Sequence, residues 1–248
     1  MKTYGYIPLH YGAEYLNEAI KTIEPLVDKI LIFYTAKPSF GTFTDLNCPE
    51  SEEQLHSIAT TASNKVEWIK VSETGEGRHR NNYQRYMSQC DVMITTDADE
   101  VWWTDKLEYA IKNAYDDKNN NRFGVSGKVD LWRSFDWQMI DWFCPVRILT
   151  NGGNGQTNID CPYLHFGYAQ SMPIIEYKMK IHGHIAEVKK LHGSIEMYLN
   201  KVRNWTPEQD NTFHPASRDI WKKAERYDKN LMPEIMRNHV NWAREIIL

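Results

Sequence analysis

Apolar, β-branched runs alternate with segments of helical periodicity along the first two-thirds of the chain, and this alternation limits the possible folds more than any other feature. Strand-like runs cover 4–7, 29–34, 66–71 and 92–96, and the helical segments between them cover 12–23, 51–62 and 78–89. Strands joined by helices of this length form right-handed βαβ crossovers. The pattern therefore predicts an α/β fold with a mostly parallel sheet flanked by helices.

The last third of the chain carries a different pattern. Two strands are expected around an aromatic hairpin within 123–149, a helix is expected after Pro173, and further helices are expected over 218–248. A chain of 248 residues can bury a sizeable core. The simplest organisation is a core of residues 1–170 followed by a helical C-terminal extension, 171–248, packed on it.

Charge and cysteine content narrow the class of protein. The net charge of −4 is uneven, because residues 178–248 hold 13 Lys and Arg against 9 Asp and Glu, which leaves them at +4 and the rest at −8. A basic C-terminal third permits an anionic partner such as DNA, although mixed charge on amphipathic helices is the commoner cause. Four scattered cysteines and the absence of an apolar leader or a bilayer-length apolar run favour a cytoplasmic location.

A short acidic turn follows the strand predicted at 92–96. Asp97 and Asp99 stand two residues apart directly after this apolar run. In an open α/β sheet, ligands bind at the carboxyl ends of the strands, so these carboxylates stand where a metal or phosphate site is built. Their hard oxygen atoms suit Mg²⁺ or Mn²⁺ shared with substrate phosphates, while a solvated acidic turn is the plain alternative.

Four motifs occur in an order that resembles the GT-A glycosyltransferases, and in particular family-2-like enzymes. They are a first strand ending in Tyr-Ile-Pro, a glycine-containing helix start with Arg78, Arg80 and Asn82, the Asp-Ala-Asp-Glu turn, and a later His-Phe-Gly-Tyr element at 165–168. The resemblance covers about residues 4–180. It implies a GT-A fold, a nucleotide-sugar donor and a bound Mn²⁺ or Mg²⁺.

The resemblance assigns the metal to three residues. Asp99 is implied as the main ligand, Asp97 as a contact to the metal or to the donor ribose, and His165 as a later ligand or a contact to the diphosphate. Imidazole suits Mn²⁺ better than Mg²⁺, so His165 favours manganese. A hydrogen-bonded, half-buried histidine beside Phe166 and Tyr168 is the alternative for this residue.

The same resemblance implies a set of donor-binding residues. The loop after the first strand matches the family's nucleotide-base contact region. The helix start that contains Arg78 precedes the strand at 92–96 and offers guanidinium and N–H groups to a diphosphate, with Arg78 as the preferred phosphate contact. Lys178 either reaches a phosphate or belongs to a solvated helix face. The full donor-binding set is Pro8, His10, Tyr11, Arg78, Asn82, Asp97 and Lys178.

The chain departs from the family's pattern at two places. Residues 34–38, after the second strand, lack the Asp that commonly reads the nucleobase, so base recognition must differ, although a UDP-sugar is the expected donor. No acidic pair marks the catalytic base, for which Asp141 and Asp160 are the candidates. An inverting transfer needs such a carboxylate to deprotonate the acceptor hydroxyl, and the stereochemistry of transfer stays open.

Together these features predict a metal-dependent glycosyltransferase that moves a hexosyl or pentosyl group from a nucleotide sugar to an acceptor hydroxyl. The acceptor is a glycan, a lipid-linked sugar or a hydroxylated base in DNA. A nucleotidyltransferase-like enzyme is one alternative, although the first loop lacks a triphosphate-binding sequence. A non-catalytic carbohydrate-binding module that uses its many aromatic side chains is the other, and it predicts no metal dependence.

Overall fold

The computed structural model describes residues 1–38, 46–72, 75–181, 183–209 and 212–247. Contacts divide the chain into two compact units. The first contains Glu50–Lys128, Trp142–Leu164 and the described residues before position 39, and the second contains Val129–Asp141 and the described residues from His165 onward. The division into domains 1–170 and 171–248 stays a prediction.

Four parallel strands form the centre of the sheet in the first unit. They are β1 (Thr3–Leu9), β2 (Lys29–Tyr34), β3 (Val66–Lys70) and β4 (Val92–Thr95). Their order across the sheet is β3-β2-β1-β4, and Gly5 of β1 lies opposite both Ile30 of β2 and Ile94 of β4. The buried side chains of β2 and β4 are mostly β-branched or aliphatic, as expected for strands covered on both faces.

Helices connect the parallel strands. The helices α1 (Leu16–Ile23) and α2 (Glu52–Ala62) follow β1 and β2, and the short α3 (Glu76–Arg80) follows β3. Residues such as Ile20 and Ile23 bury one face of α1 in the core of this unit. The α/β class and the parallel strands that the sequence predicts are therefore confirmed.

Antiparallel strands extend this sheet beyond β4. The next elements are β5 (Glu100–Trp102), α4 (Thr104–Asp116), β6 (Asn120–Trp132), β7 (Trp137–Met139), β8 (Val146–Thr150) and β9 (Gly155–Tyr168). Strand β8 runs antiparallel to both β4 and β6, and β5 pairs with β9. The sheet is therefore mixed with a parallel centre, which agrees with the GT-A-like fold that the sequence resemblance implies.

Strand β1 continues through Pro8, where the sequence pattern predicted its end. Strand β4 stops pairing with β1 at Thr95, opposite Tyr6. The Tyr6 carbonyl accepts the Thr96 N–H at 3.0 Å, so the backbone polar groups of Tyr6 point toward β4. Pro8, two residues later, points its backbone the same way, but β4 has already ended there. The missing N–H of proline costs no ladder hydrogen bond at that position.

The second unit combines a small antiparallel sheet with three helices. The end of β6 pairs with β7, and β7 pairs with β10 (Glu225–Arg226). The helices are α5 (Met172–Ile181), α6 (Ile185–His192) and α7 (Ile195–Arg203). Trp132 stacks on Tyr168 at a ring-centroid distance of 5.2 Å in the centre of an aromatic core. Among the described residues, no helix has the length and apolar character needed to cross a bilayer.

The helices predicted over 218–248 are wrong. The described part of this segment contains β10 and short 3₁₀ turns. The Ile247 N–H donates to the Arg133 carbonyl at 2.7 Å, and Lys229 Nζ pairs with Asp136 at 3.1 Å. These contacts with the turn between β6 and β7 satisfy polar groups of the segment without a helix, so tertiary contacts override its helical pattern.

Candidate functional site

The acidic turn that the sequence predicts lies directly after β4 and is closed by its own last residue. The Glu100 N–H donates to the Asp97 carbonyl at 3.1 Å. One Glu100 carboxylate oxygen accepts the Asp97 N–H at 3.0 Å and the Thr96 hydroxyl at 3.3 Å. Glu100 is buried, and Trp102 Nε1 donates to the Thr96 hydroxyl at 2.9 Å. The backbone on both sides of Asp99 is therefore fixed by buried hydrogen bonds.

An arginine on β8, 12% exposed, pairs with two carboxylates of this turn. Arg147 Nη2 donates to Asp97 Oδ2 at 2.8 Å and to Glu100 Oε1. Burial lowers the pKa of Arg147, but the Glu100 and Asp97 carboxylates outweigh burial and hold that pKa above its usual value. Within the described part of the chain, Arg147 Nε has no hydrogen-bond partner. Arg147 was not predicted, because only the pairing of β8 with β4 brings it to the turn.

Arg80 of α3 binds the other oxygen of Asp97. Its Nη1 donates to Asp97 Oδ1 at 2.6 Å, and its Nε donates to Glu76 at 2.6 Å. The side chain of Arg80 is 44% exposed and that of Asp97 is 19% exposed. Both carboxylate oxygens of Asp97 therefore already accept from a guanidinium group. Asp99, two residues later, is half-buried.

A small open pocket with a cavity volume of about 130 Å³ adjoins the turn. Its lining includes three arginines, a proline and two aromatic rings, which are Arg80, Arg122, Arg147, Pro8, Tyr6 and Tyr83. Guanidinium groups bind phosphate oxygens in a bidentate fashion, and aromatic rings offer flat apolar contact area. Tyr6 is fully buried and Tyr83 nearly so, so the arginines decide the chemistry and the pocket suits an anionic ligand. Arg122, like Arg147, carries no local signal in the sequence that marks it as a site residue.

The loop after β1 packs against the acidic turn. Gly12 has a φ of +136°, and a Cβ at this position would lie 2.6 Å from the Ala98 Cβ. Glycine is therefore required both by the backbone conformation and by the close approach. The buried Glu50 carboxylate holds the loop by accepting the N–H groups of Gly12 and Ala13 at 2.6 and 3.0 Å. Burial raises the pKa of Glu50.

The predicted base-contact residues His10 and Tyr11 lie in this loop. His10 Nδ1 is 2.8 Å from the Thr35 carbonyl, so this nitrogen carries a proton and donates it. Burial lowers the pKa of His10, which favours the neutral imidazole at neutral pH. The Tyr11 ring meets His10 edge-on at a centroid distance of 5.9 Å. Contact of these side chains with a nucleobase stays a prediction.

The predicted phosphate contacts Arg78 and Asn82 lie in different surroundings. Arg78 is exposed on α3, whereas Asn82 is buried. The Asn82 side-chain amide donates to the His79 carbonyl at 3.3 Å. Their neighbour Arg80, not the preferred Arg78, lines the pocket. The donor-binding roles of Arg78 and Asn82 stay predictions.

The second unit brings His165 and Lys178 together around Gly167. His165 Nδ1 lies 2.5 Å from Asp130 Oδ1, and the Asp130 side chain is buried. A Cβ on Gly167 would lie 2.7 Å from His165 Cε1 and 3.0 Å from Lys178 Nζ, which also donates to the Gly167 carbonyl at 3.1 Å. A carboxylate on one ring nitrogen is the usual support of a metal-binding histidine. Asp130 was not predicted as part of this arrangement.

The two candidate catalytic bases belong to different units. Asp160 is exposed on β9 in the first unit, where the Ser126 hydroxyl donates to its carboxylate at 3.3 Å. Asp141 is half-buried in the segment between β7 and β8, within the second unit. The catalytic role of each carboxylate stays a prediction.

The donor atoms of the acidic turn fit a metal ion that is shared with a substrate. Within the ranges that the structure describes, no three His, Cys, Asp or Glu side chains form a complete metal site. Mg²⁺ usually takes one or two protein carboxylates and completes its shell with water and phosphate oxygens, and oxygen ligands also suit Mn²⁺. Asp99, on a turn fixed by buried hydrogen bonds, offers such a carboxylate. The metal-binding roles of Asp97, Asp99 and His165 stay predictions.

The fold and the site of the first unit define an α/β protein with a mixed sheet that is parallel at its centre, in which a parallel strand ends in an acidic turn beside an arginine-lined pocket. No protein-family model matches the chain, and no curated protein matches it either.

Several solved structures are distantly similar to the chain. The mannosyltransferase PcManGT from Pyrobaculum calidifontis, in complex with GDP-Man and Mn²⁺, has a TM-score of 0.46 at 10% identity, and the match covers 83% of this chain and 65% of that one. The 4-diphosphocytidyl-2C-methyl-D-erythritol synthase from Anaerococcus prevotii has a TM-score of 0.40 at 10% identity, and the match covers 64% of this chain and 87% of the synthase. The M. tuberculosis glucosyl-3-phosphoglycerate synthase has a TM-score of 0.37 at 11% identity, and the match covers 50% of this chain and 44% of that synthase. The chain thus spans less than half of that synthase, and 41% of another mycobacterial protein.

Proposed function

We propose that the protein is a metal-dependent glycosyltransferase that moves a sugar from a nucleotide-sugar donor, with a UDP-sugar as the first candidate, to an acceptor hydroxyl. One observation carries this proposal. The acidic turn after β4 is bonded through Asp97 to two of the three arginines that line the neighbouring pocket. Carboxylates for a metal and guanidinium groups for phosphates thus occur together at the carboxyl end of a parallel strand, where α/β enzymes bind their ligands.

The chemistry of glycosyl transfer explains why such a combination is needed. Departure of a nucleoside diphosphate develops negative charge, which fixed cations and dipoles at the site must stabilise. Arg80, Arg122 and Arg147, which line the pocket, are proposed to bind the donor phosphates. The loop with Pro8, His10 and Tyr11 is proposed to contact the nucleobase. A divalent ion held by Asp99 supplies Lewis-acid stabilisation of the leaving group.

His165 and Lys178 are proposed to have the roles that the sequence resemblance implies, a metal ligand and a phosphate contact. Asp130 orients the His165 ring through Nδ1, as a carboxylate commonly does for a metal-binding histidine. Lys178 is held beside the same glycine and supplies a positive charge for a phosphate. The acceptor hydroxyl, on a glycan or on a hydroxylated base in DNA, is proposed to lose its proton to Asp141 or Asp160.

A thermal-shift panel tests the proposed function. UDP-, GDP-, CMP- and dTDP-sugars are each added with Mn²⁺, Mg²⁺ or EDTA to the wild-type protein, to Asp99→Ala and to Asp116→Ala. Asp116, exposed at the end of α4, provides the matched control. We expect one nucleotide sugar to raise the Tm of the wild type and of the control only when metal is present, because a ligand of the folded state stabilises that state. We expect no shift for Asp99→Ala.

Two results contradict the proposed function. If no nucleotide sugar shifts the wild-type Tm, the protein has no donor site, and a carbohydrate-binding module becomes the better description. If the shift persists in EDTA and in Asp99→Ala, the donor binds without the proposed metal.

A further inference from the structure

We infer that Asp97, the first acidic residue of the turn, is a positioning residue that fixes two arginines at the donor pocket and does not bind the metal. This inference rests on the proposed function and assigns different roles to the two aspartates. Asp97 Oδ1 accepts from Arg80 Nη1 at 2.6 Å, and Oδ2 accepts from Arg147 Nη2 at 2.8 Å. Each of its oxygens thus serves a guanidinium group.

The charges around Asp97 disfavour a divalent cation at the same carboxylate. Two guanidinium groups lie within hydrogen-bond distance of it, and like charges at such distances repel strongly where water is scarce. The Arg147 side chain is only 12% exposed, so solvent and salt screen its charge weakly. A metal bound at Asp97 Oδ2 would also compete with Arg147 Nη2 for this oxygen. Asp99 keeps the metal-binding role that the proposed function assigns to it.

The bonds to Asp97 explain what this residue does instead. Arg80 is a long side chain with considerable exposure, and an unrestrained guanidinium would lose conformational entropy when a ligand binds. The carboxylate holds Arg80 and Arg147 at the pocket before any ligand arrives. Fixed cations of this kind stabilise phosphate charge without reorganisation. Asp97 therefore acts on the donor through the two arginines.

The backbone of the turn does not depend on the Asp97 side chain. The Asp97 N–H donates to the Glu100 carboxylate, and the Asp97 carbonyl accepts the Glu100 N–H. An asparagine at position 97 keeps both of these backbone bonds. Loss of the Asp97 charge should therefore loosen the arginines while the turn that carries Asp99 stays in place.

A comparison of Asp97→Asn with Asp99→Asn tests this inference. Binding of Mn²⁺ is measured by electron paramagnetic resonance of the free ion, and binding of UDP and GDP is measured by calorimetry in the presence of Mn²⁺. We expect Asp97→Asn to keep its Mn²⁺ affinity within about threefold of the wild type. We expect its nucleotide affinity to fall by about tenfold or more, because the guanidinium groups are no longer fixed. Asp99→Asn is expected to lose Mn²⁺ affinity by more than about tenfold.

A second variant keeps the test decisive if Asp97→Asn does not fold. Arg80 is partly exposed, so Arg80→Gln is expected to fold, to weaken nucleotide binding and to leave Mn²⁺ binding unchanged. Lys29→Gln breaks a comparably exposed ion pair with Glu67 and should change neither affinity.

The possible outcomes separate this inference from the proposed function. If Asp97→Asn or Arg80→Gln loses Mn²⁺ as strongly as Asp99→Asn, Asp97 belongs to the metal site and the inference is overturned, while the proposed function stands. If the wild-type protein binds neither Mn²⁺ nor a nucleotide, both the proposed function and the inference are overturned. If nucleotide affinity is the same in Asp97→Asn and the wild type, the positioning role is overturned alone.

Discussion

At the scale of single residues, two glycines show how closely the predicted site residues approach the backbone. Gly12 lets the loop after β1 pack against Ala98 of the acidic turn, and Gly167 leaves room for the His165 ring and the Lys178 ammonium group. The His-Phe-Gly-Tyr motif thus has a physical explanation, since any side chain at its glycine would collide with its histidine. This reasoning needs the structure, because a sequence pattern does not show which ring lies over which backbone.

Substitution of Gly167 by Ala is expected to destabilise the fold and to displace His165. The added Cβ would lie 2.7 Å from Cε1 and 2.8 Å from Nε2 of the His165 ring. Overpacking of this kind costs about 1–3 kcal/mol. Gly77→Ala is the control, because a Cβ there meets nothing within 4 Å, and alanine in a helix is expected to stabilise by up to about 1 kcal/mol. Equal unfolding free energies for the two variants in urea would contradict this explanation.

Glu50 is expected to make stability depend on pH in an unusual direction for a carboxylate. Burial raises its pKa, so the folded protein holds the proton more tightly than the unfolded chain does. The stabilising contribution of this proton is present below the pKa of the unfolded chain and is lost as pH rises through the raised folded-state pKa.

Glu50→Gln isolates this effect, because glutamine still offers an oxygen to the Gly12 and Ala13 N–H groups. Between about pH 4 and about pH 7, the stability of the variant is expected to rise relative to that of the wild type. Urea unfolding of both proteins at the two pH values measures the difference. A difference that stays constant, or that changes in favour of the wild type, would show that the Glu50 carboxylate is not destabilised by burial.

At the scale of elements, β4 and β8 show what the sequence could and could not predict. The parallel strands and the turn after β4 follow from local patterns, namely apolar runs, helical spacing and two nearby carboxylates. Arg147 lies 50 residues from Asp97 and reaches it only through the antiparallel register in which Ile148 faces Ile94. A register between distant strands depends on pairing across the sheet, which no local pattern specifies.

Replacement of Arg147 by Met is expected to destabilise the first unit strongly. Glu100 is buried, and removal of its guanidinium partner leaves an uncompensated carboxylate, which typically costs about 3–5 kcal/mol. Arg122→Met, at an exposed arginine on β6, is expected to change stability by no more than about 0.5 kcal/mol. Denaturant unfolding of both variants checks this contrast. A small effect for Arg147→Met would mean that Arg147 does not support the acidic turn.

At the scale of the whole molecule, the predicted site residues are divided between two units. The acidic turn, the pocket and Asp160 belong to the first, whereas His165, Lys178 and Asp141 belong to the second. The sequence did not indicate that 129–141 would group with the C-terminal residues, because this grouping depends on the pairing of β6 with β7 and on the aromatic core around Trp132. The helices expected beyond residue 218 failed for the same reason, since long-range contacts decide the structure there.

The release of nucleoside diphosphate from nucleotide sugars tests the central claim most directly. Wild-type protein, Asp99→Asn and the control Asp116→Asn are incubated with each donor in Mn²⁺ or in EDTA. The wild type and the control are expected to release the diphosphate from one donor in Mn²⁺ only. Asp99→Asn is expected to be slower by at least about 100-fold, because the variant would no longer hold the divalent ion whose positive charge stabilises the leaving group. Release at wild-type rate by Asp99→Asn, or in EDTA, would contradict a metal-dependent transferase with Asp99 at its centre.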